Sequence, residues 1–274
     1  MDMMFVLGVF TVIFFASLII ACFYRSKINV KLWNTVFIIA DFVAYSCWNY
    51  AAYQRGWTFG ERMTLGNISP LTFTIILLTP FMNEKLRNYA YSMIAFLCVG
   101  MVFATYISPE YSYLFNYHTE ASFAYTSEAL CHLICAMFGI YLVLSNQVKA
   151  DFEHWIKSMV FLLPIITLGV VLNFIFHTNN FGMDPYEGAS IYMIDIFGSF
   201  WATLTAYYFG IVLVLTAGLI ATNLLDRVTR KGSGDGNDKK VDTDTAENTE
   251  INKKSDSHTD GVTDDSSFSP EGGV

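Results

Sequence analysis

Three side chains in one apolar stretch carry the groups that acid/base and nucleophilic chemistry require. Glu128, His132 and Cys135 recur at i, i+4 and i+7, a spacing that lines them along one side of a helix. A carboxylate one turn from an imidazole can fix its tautomer and raise its basicity, and a thiol one turn further on is a candidate nucleophile for the same ring. The pattern also fits a structural role, with Glu128 at a water boundary, His132 in a helix–helix hydrogen bond and Cys135 as a small packing residue. No second cluster of ligands completes four coordination positions, so neither a metal nor another cofactor is expected.

Other polar groups interrupt the apolar stretches. Asp41 and Asn49 share the second of them, and a charge at a bilayer centre costs about 2.5–3.5 kcal/mol, which makes an ionisable group there a functional candidate. In the third, Ser69-Pro70-Leu71-Thr72-Phe73-Thr74 sets hydroxyls around a proline. Proline frees a carbonyl one turn back, and Ser69 and Thr72 are suited to satisfy it. Thr74 is left over for another role. Asn173, His177 and Asn179 fall in and after the sixth stretch, Asp195 opens the seventh and Trp201 follows it. Their amides, imidazole, carboxylate and indole can grip a lipid headgroup or a small solute, or can cap helix ends and mark the interfacial belt.

These groups must be carried by elements, and composition says which. Of the 274 residues, 54% are hydrophobic and only 15% charged, with a mean hydropathy of +0.41; a soluble domain has about 25% charged residues. About 20 apolar residues are needed to cross a hydrocarbon core. Seven stretches of that kind are readable: Met4–Tyr24, Leu32–Tyr53, Met63–Met82, Tyr89–Ser108, Ser122–Ser145, Trp155–His177 and Ile196–Leu225. The expected fold is all-α, a multi-pass protein of the cell membrane with seven transmembrane helices over residues 1–229. The first stretch is expected to be retained as a helix, because basic residues follow it and none precede it, the reverse of a signal peptide.

Orientation follows from Lys and Arg, which stay cytoplasmic. With the N-terminus outside, the inner segments hold Arg25, Lys27, Lys31, Lys85, Arg87, Lys149, Lys157, Arg227, Arg230 and Lys231, and the outer ones only Arg55 and Arg62. The C-terminus is then cytoplasmic. Residues 230–274 carry six basic and eleven acidic groups, five of the net eight negative charges. Such a segment is expected to stay disordered, as a solvated tail or as a docking segment for a cytoplasmic protein partner. No basic nucleic-acid patch or phosphate-binding glycine loop is present. All five cysteines lie in apolar stretches, so a disulfide framework is not expected.

The order of these elements from Asn67 to Leu225 resembles the YwaF-like bacterial integral membrane proteins, related to the animal transmembrane protein 164 family. The resemblance is carried by Ser69-Pro70-Leu71-Thr72-Phe73-Thr74, the basic loop Asn83 to Arg87, Ser127-Glu128-Ala129-Leu130-Cys131-His132, Leu172-Asn173 with Thr178-Asn179, and Gly198-Ser199-Phe200-Trp201, where the family tends to have Gly-Pro-Trp. It implies acyl transfer between phospholipids, with membrane lipids as partners. His132 falls at the family's histidine, a general base with Glu128 as its orienter. Thr74 falls where the family has its nucleophilic cysteine, and a threonine hydroxyl is a poorer nucleophile; Cys135 is the other candidate acyl carrier.

Two other function classes fit the residues. One is a scaffold whose tail docks a partner. The other is a small-solute transporter with Asp41, Asn49 and Glu128 along a path. The transport reading predicts that proton-coupled uptake into vesicles falls on Asp41→Asn, and uptake unchanged by that substitution would leave Asp41 a structural group.

Overall fold

The computed structural model describes residues 3–24, 27, 29–54, 56, 67–107, 123–183 and 189–232. Among them every regular element is helical: α1 (Met3–Phe23), α2 (Val30–Gln54), α3 (Ile68–Leu78), α4 (Glu84–Ile107), α5 (Phe123–Leu144), α6 (Phe152–Phe176), α7 (Ala189–Phe197) and α8 (Phe200–Gly232), with single 3₁₀ turns at Thr79–Phe81 and Asn180–Gly182. Met1–Thr229 form one compact unit. The acidic tail expected to be disordered lies, from residue 233 on, outside the described residues. So do Arg55 and Arg62, the two basic residues expected outside.

Four helical segments are long and apolar enough to cross a membrane: Val30–Gln54, Thr126–Leu144, Phe152–Phe176 and Phe200–Arg230. Large apolar side chains point outward along them. On α8, Phe209, Leu213, Ile220 and Leu224 are each more than half exposed at the i, i+4, i+11, i+15 positions of one helical face, an apolar stripe that suits hydrocarbon rather than water.

α4 lies at the centre. Every residue from Ala90 to Gly100 is buried, the expected state of a helix that is apolar on all sides. It packs on α5 and α6, while α1 and α2 pack on α5 and α3 on α2. The approach to α8 is closest: a Cβ added at Gly218 would stand 1.9 Å from the Phe96 carbonyl oxygen, and one at Gly100 would stand 2.0 Å from that of Val214. Small residues let helix backbones meet in this way where no hydrophobic effect drives them together.

Two departures from the expected helices have local causes. Residues 63–66 of the expected third helix, Met63–Met82, lie outside the described residues. α3 starts at Ile68, where the Asn67 side chain, on extended backbone, accepts from the Ile68 N–H, and Pro70 sits in its first turn, where a missing N–H costs nothing. It ends in the turn Thr79-Pro80-Phe81. There Arg87 donates from Nε to the Thr79 carbonyl (3.1 Å) and from Nη2 to the Met82 carbonyl (2.7 Å), covering acceptors that a helix end leaves open. The seventh stretch is broken in two. Gly198, at φ +77°, ends α7 in the left-handed conformation that glycine adopts freely, and Ser199 starts α8 by accepting from the Ala202 N–H at 3.2 Å. Asp195 therefore does not open the last long helix; it lies exposed in the short α7.

The helix ends sort into two groups. At one end, Asn34 and Gln147 exchange side-chain amide hydrogen bonds of 2.8 and 3.1 Å. The Tyr141 hydroxyl donates to the Val30 carbonyl, and Asn223 donates to the Ala150 carbonyl at 2.7 Å. The beginnings of α2 and α6 and the last parts of α5 and α8 thus come together, and Lys31, Lys149, Lys157 and Arg227 lie along those same segments. Asp151 caps α6 there: its carboxylate accepts from the His154 main-chain N–H at 3.0 Å and from the His154 ring Nδ1 at 2.7 Å. Burial acts to raise its pKa, but these two hydrogen bonds, the His154 charge and Lys149 together hold it below the usual carboxylate range.

Two predictions follow from this packing. Gly218→Ala drives a methyl group into the backbone of α4 and should destabilise the protein by about 1–3 kcal/mol. Gly210→Ala, where an added Cβ meets nothing within 4 Å, should be neutral or slightly stabilising; thermal unfolding of the detergent-solubilised protein compares the two. Asp151→Ala should cost about 1 kcal/mol at neutral pH. Because the folded-state pKa is depressed, the ionised carboxylate contributes above its unfolded value of about 3.9 and loses that contribution as pH falls through the lower folded value. The gap between wild type and variant should therefore narrow below about pH 4, and a gap constant into strong acid would show that the charge plays no part.

Candidate functional site

His132 is the tenth of the 22 residues of α5, in the half farther from the basic segments. It is half-buried, and both its ring nitrogens are engaged. Nδ1 is 2.9 Å from the main-chain carbonyl oxygen of Glu128. A carbonyl oxygen only accepts, so Nδ1 carries the proton and donates, and Nε2 keeps its lone pair. That lone pair faces the Ser69 hydroxyl at 2.9 Å, so Ser69 is the donor. The tautomer is the one a general base needs, and the proton within its reach is that of an aliphatic alcohol. The ring is held from the side as well. Phe73 meets it edge to face, with centroids 5.4 Å apart at 86°. Phe73 is in turn packed by Tyr45 and Trp48, which stack on each other at 5.7 Å.

Ser69 is the second residue of α3 and its hydroxyl turns to α5, whereas Thr72 Oγ1 donates to the Ile68 carbonyl of its own helix at 2.8 Å. The carbonyl that Pro70 frees one turn back, which Ser69 and Thr72 were expected to satisfy, belongs to residue 66, outside the described residues. Thr74 shares a 3.3 Å hydrogen bond with the Tyr45 hydroxyl of α2.

The expected polar stripe on α5 is divided between neighbours. At Glu128 it is the main-chain oxygen, not the expected carboxylate, that meets His132 Nδ1. Cys135 turns to α2, its thiol 4.0 Å from Oδ1 of Asp41. Asp41 is fully buried, and its Oδ2 has no hydrogen-bond partner. Asn49 donates to the Tyr45 carbonyl in its own helix at 3.0 Å. Among the described residues no group of three or more His, Cys, Asp or Glu is placed to hold a metal ion.

The remaining candidates are gathered around the end of α6. Asn173 is 1% exposed and holds the chain reversal after the helix: its Oδ1 accepts from the Asn180 N–H (2.7 Å) and the Thr178 hydroxyl (3.1 Å), and its Nδ2 donates to the Asn180 carbonyl (3.0 Å). His177 ends the helix in the left-handed conformation, φ 51° and ψ 44°, with its side chain exposed, as is that of Asn179. Trp201, 67% exposed, stacks on Phe174 at 6.2 Å and so ties the start of α8 to the end of α6. Asn173 and Trp201 thus have structural partners that account for their positions. Trp201 and the half-exposed Phe174 also present an aromatic surface of the kind found at a membrane boundary.

No protein-family model, curated protein or solved structure matches the chain.

Proposed function

We propose that this chain is an integral membrane protein whose site, built on His132 near the outer end of the bundle, acts on ester-linked acyl chains of membrane phospholipids. The observation that carries this reading is the imidazole with its Nδ1 proton given to the Glu128 carbonyl and its Nε2 lone pair aligned on a hydroxyl 2.9 Å away. A base in that state activates an alcohol for attack on an ester carbonyl and returns the proton to the leaving oxygen. The setting supports the substrate class. The site is flanked by Phe73, Tyr45 and Trp48 on apolar helices, where the abundant esters are those of lipids.

In this reading the chain crosses the membrane seven times, with the N-terminus outside and the C-terminus in the cytoplasm of a cell-membrane protein. The gathering of Lys31, Lys149, Lys157 and Arg227 along segments that meet at one end supports the orientation. The site then opens toward the outer leaflet. The resemblance to the YwaF-like family points to the same chemistry by a different residue set, with Thr74 in place of the cysteine.

Purified full-length protein in liposomes containing phospholipid with a labelled acyl chain should release or transfer that chain. His132→Ala should slow the reaction by about 10²–10⁴-fold, the usual contribution of a general base. Equal turnover by wild type and His132→Ala would remove His132 from any mechanism.

A further inference from the structure

We infer that Ser69 is the nucleophile of this site and carries the acyl group as a serine ester. The inference rests on the lipid-ester reading for its substrate, and on three features of Ser69 itself for the assignment. Its Oγ is 2.9 Å from the base nitrogen, inside the range expected of a nucleophile–base pair. Its hydroxyl is directed across to α5, whereas that of Thr72 returns to the Ile68 carbonyl of its own helix. Its backbone is fixed from both sides, by the Asn67 cap and by the buried Pro70, so the oxygen is held in position before substrate arrives. The two residues that the sequence puts forward are otherwise engaged, Thr74 with Tyr45 and Cys135 beside Asp41.

The chemistry balances without any further reagent. As Oγ attacks the carbonyl carbon of the lipid ester, the Ser69 proton passes to Nε2, and the resulting imidazolium keeps its Nδ1–H on the Glu128 carbonyl. The bond between that carbon and the glycerol oxygen breaks, the departing oxygen takes the proton from Nε2, and a lysolipid leaves while the acyl group stays on Oγ. Water, or the hydroxyl of a second lysolipid, then gives its proton to Nε2 and attacks the acyl-serine. Oγ leaves and recovers the proton, so the product is a fatty acid or a new phospholipid. Glu128 is a positioning residue in this scheme, acting through its main-chain oxygen.

A fluorophosphonate probe tests the assignment, because it loses fluoride to an activated serine and leaves a stable phosphonyl ester. Applied to the full-length protein in liposomes, it should give one adduct on the peptide containing Ser69. The adduct should be absent in Ser69→Ala, and its rate of formation should fall at least about hundredfold in His132→Ala. Ser69→Cys guards against misfolding as an explanation. Given labelled phospholipid and quenched in acid, wild type should hold acyl label that resists neutral hydroxylamine, as an oxygen ester does. Ser69→Cys should hold label that neutral hydroxylamine releases, as from a thioester. No adduct in wild type, an adduct that persists in Ser69→Ala, or wild-type label released by neutral hydroxylamine would each overturn the assignment. Lipid turnover that needs His132 but survives Ser69→Ala would sink Ser69 and leave the lipid reading standing. An adduct on Ser69 without any lipid turnover would do the opposite.

Discussion

The constraint to which the other helices conform is the burial of the middle of α4, from Ala90 to Gly100, on every side. A helix with no outward face must be covered by neighbours whose backbones come close enough to leave no gap, since lipid gives helices little reason to associate beyond packing and hydrogen bonding. Gly100 and Gly218 meet that requirement from opposite sides of a single crossing: each lies against the main chain of the partner helix. Large side chains complete the covering elsewhere, with Phe96, Met93, Ile94 and Leu97 on α4 among the most deeply buried residues. Once α4 and α5 are in contact, α2 and α3 are placed by what remains of the α5 surface. That placement sets Ser69 against His132.

Most of the helices were legible in the sequence because length and apolarity belong to a segment by itself. Two boundaries were not. The break between α7 and α8 falls in Gly198-Ser199, a pair with clear turn chemistry, but residues on both sides are apolar, and a hydropathy reading runs straight across it. The start of α3 is marked by one hydrogen bond that the Ile68 N–H donates to the Asn67 side chain, which composition does not report. The site was half legible. His132 stood out as an imidazole in an apolar helix, whereas its partner depends on which residue of α3 faces α5, a relation between helices that spacing along one chain does not contain. The same limit divided the stripe on α5: positions three apart lie about 60° around a helix, enough for His132 to meet α3 while Cys135 meets α2.

Polar groups in this bundle are satisfied by short local arrangements more often than by long networks. Thr72 returns its hydroxyl to its own helix, as do Thr203, Thr216 and Thr222, and Asn173 closes its hydrogen bonds within a few residues. Fewer bonds join two helices through side chains alone, among them Tyr45–Thr74, Thr167–Tyr208 and Ser69–His132, and the last of these pairs a hydroxyl with an imidazole. Asp41 stands apart. It is the one side-chain carboxylate among the described residues with a buried oxygen lacking a hydrogen-bond partner, and its near neighbour is a thiol, a weak donor.

Arg87 has a consequence for how the chain is made. Its guanidinium is bonded to the carbonyls of Thr79 and Met82, at the tip of the hairpin formed by α3 and α4. A growing chain can make those contacts as soon as residue 87 has emerged, before α5 exists to cover either helix. The loop that joins the two helices is thereby closed by residues within the hairpin itself.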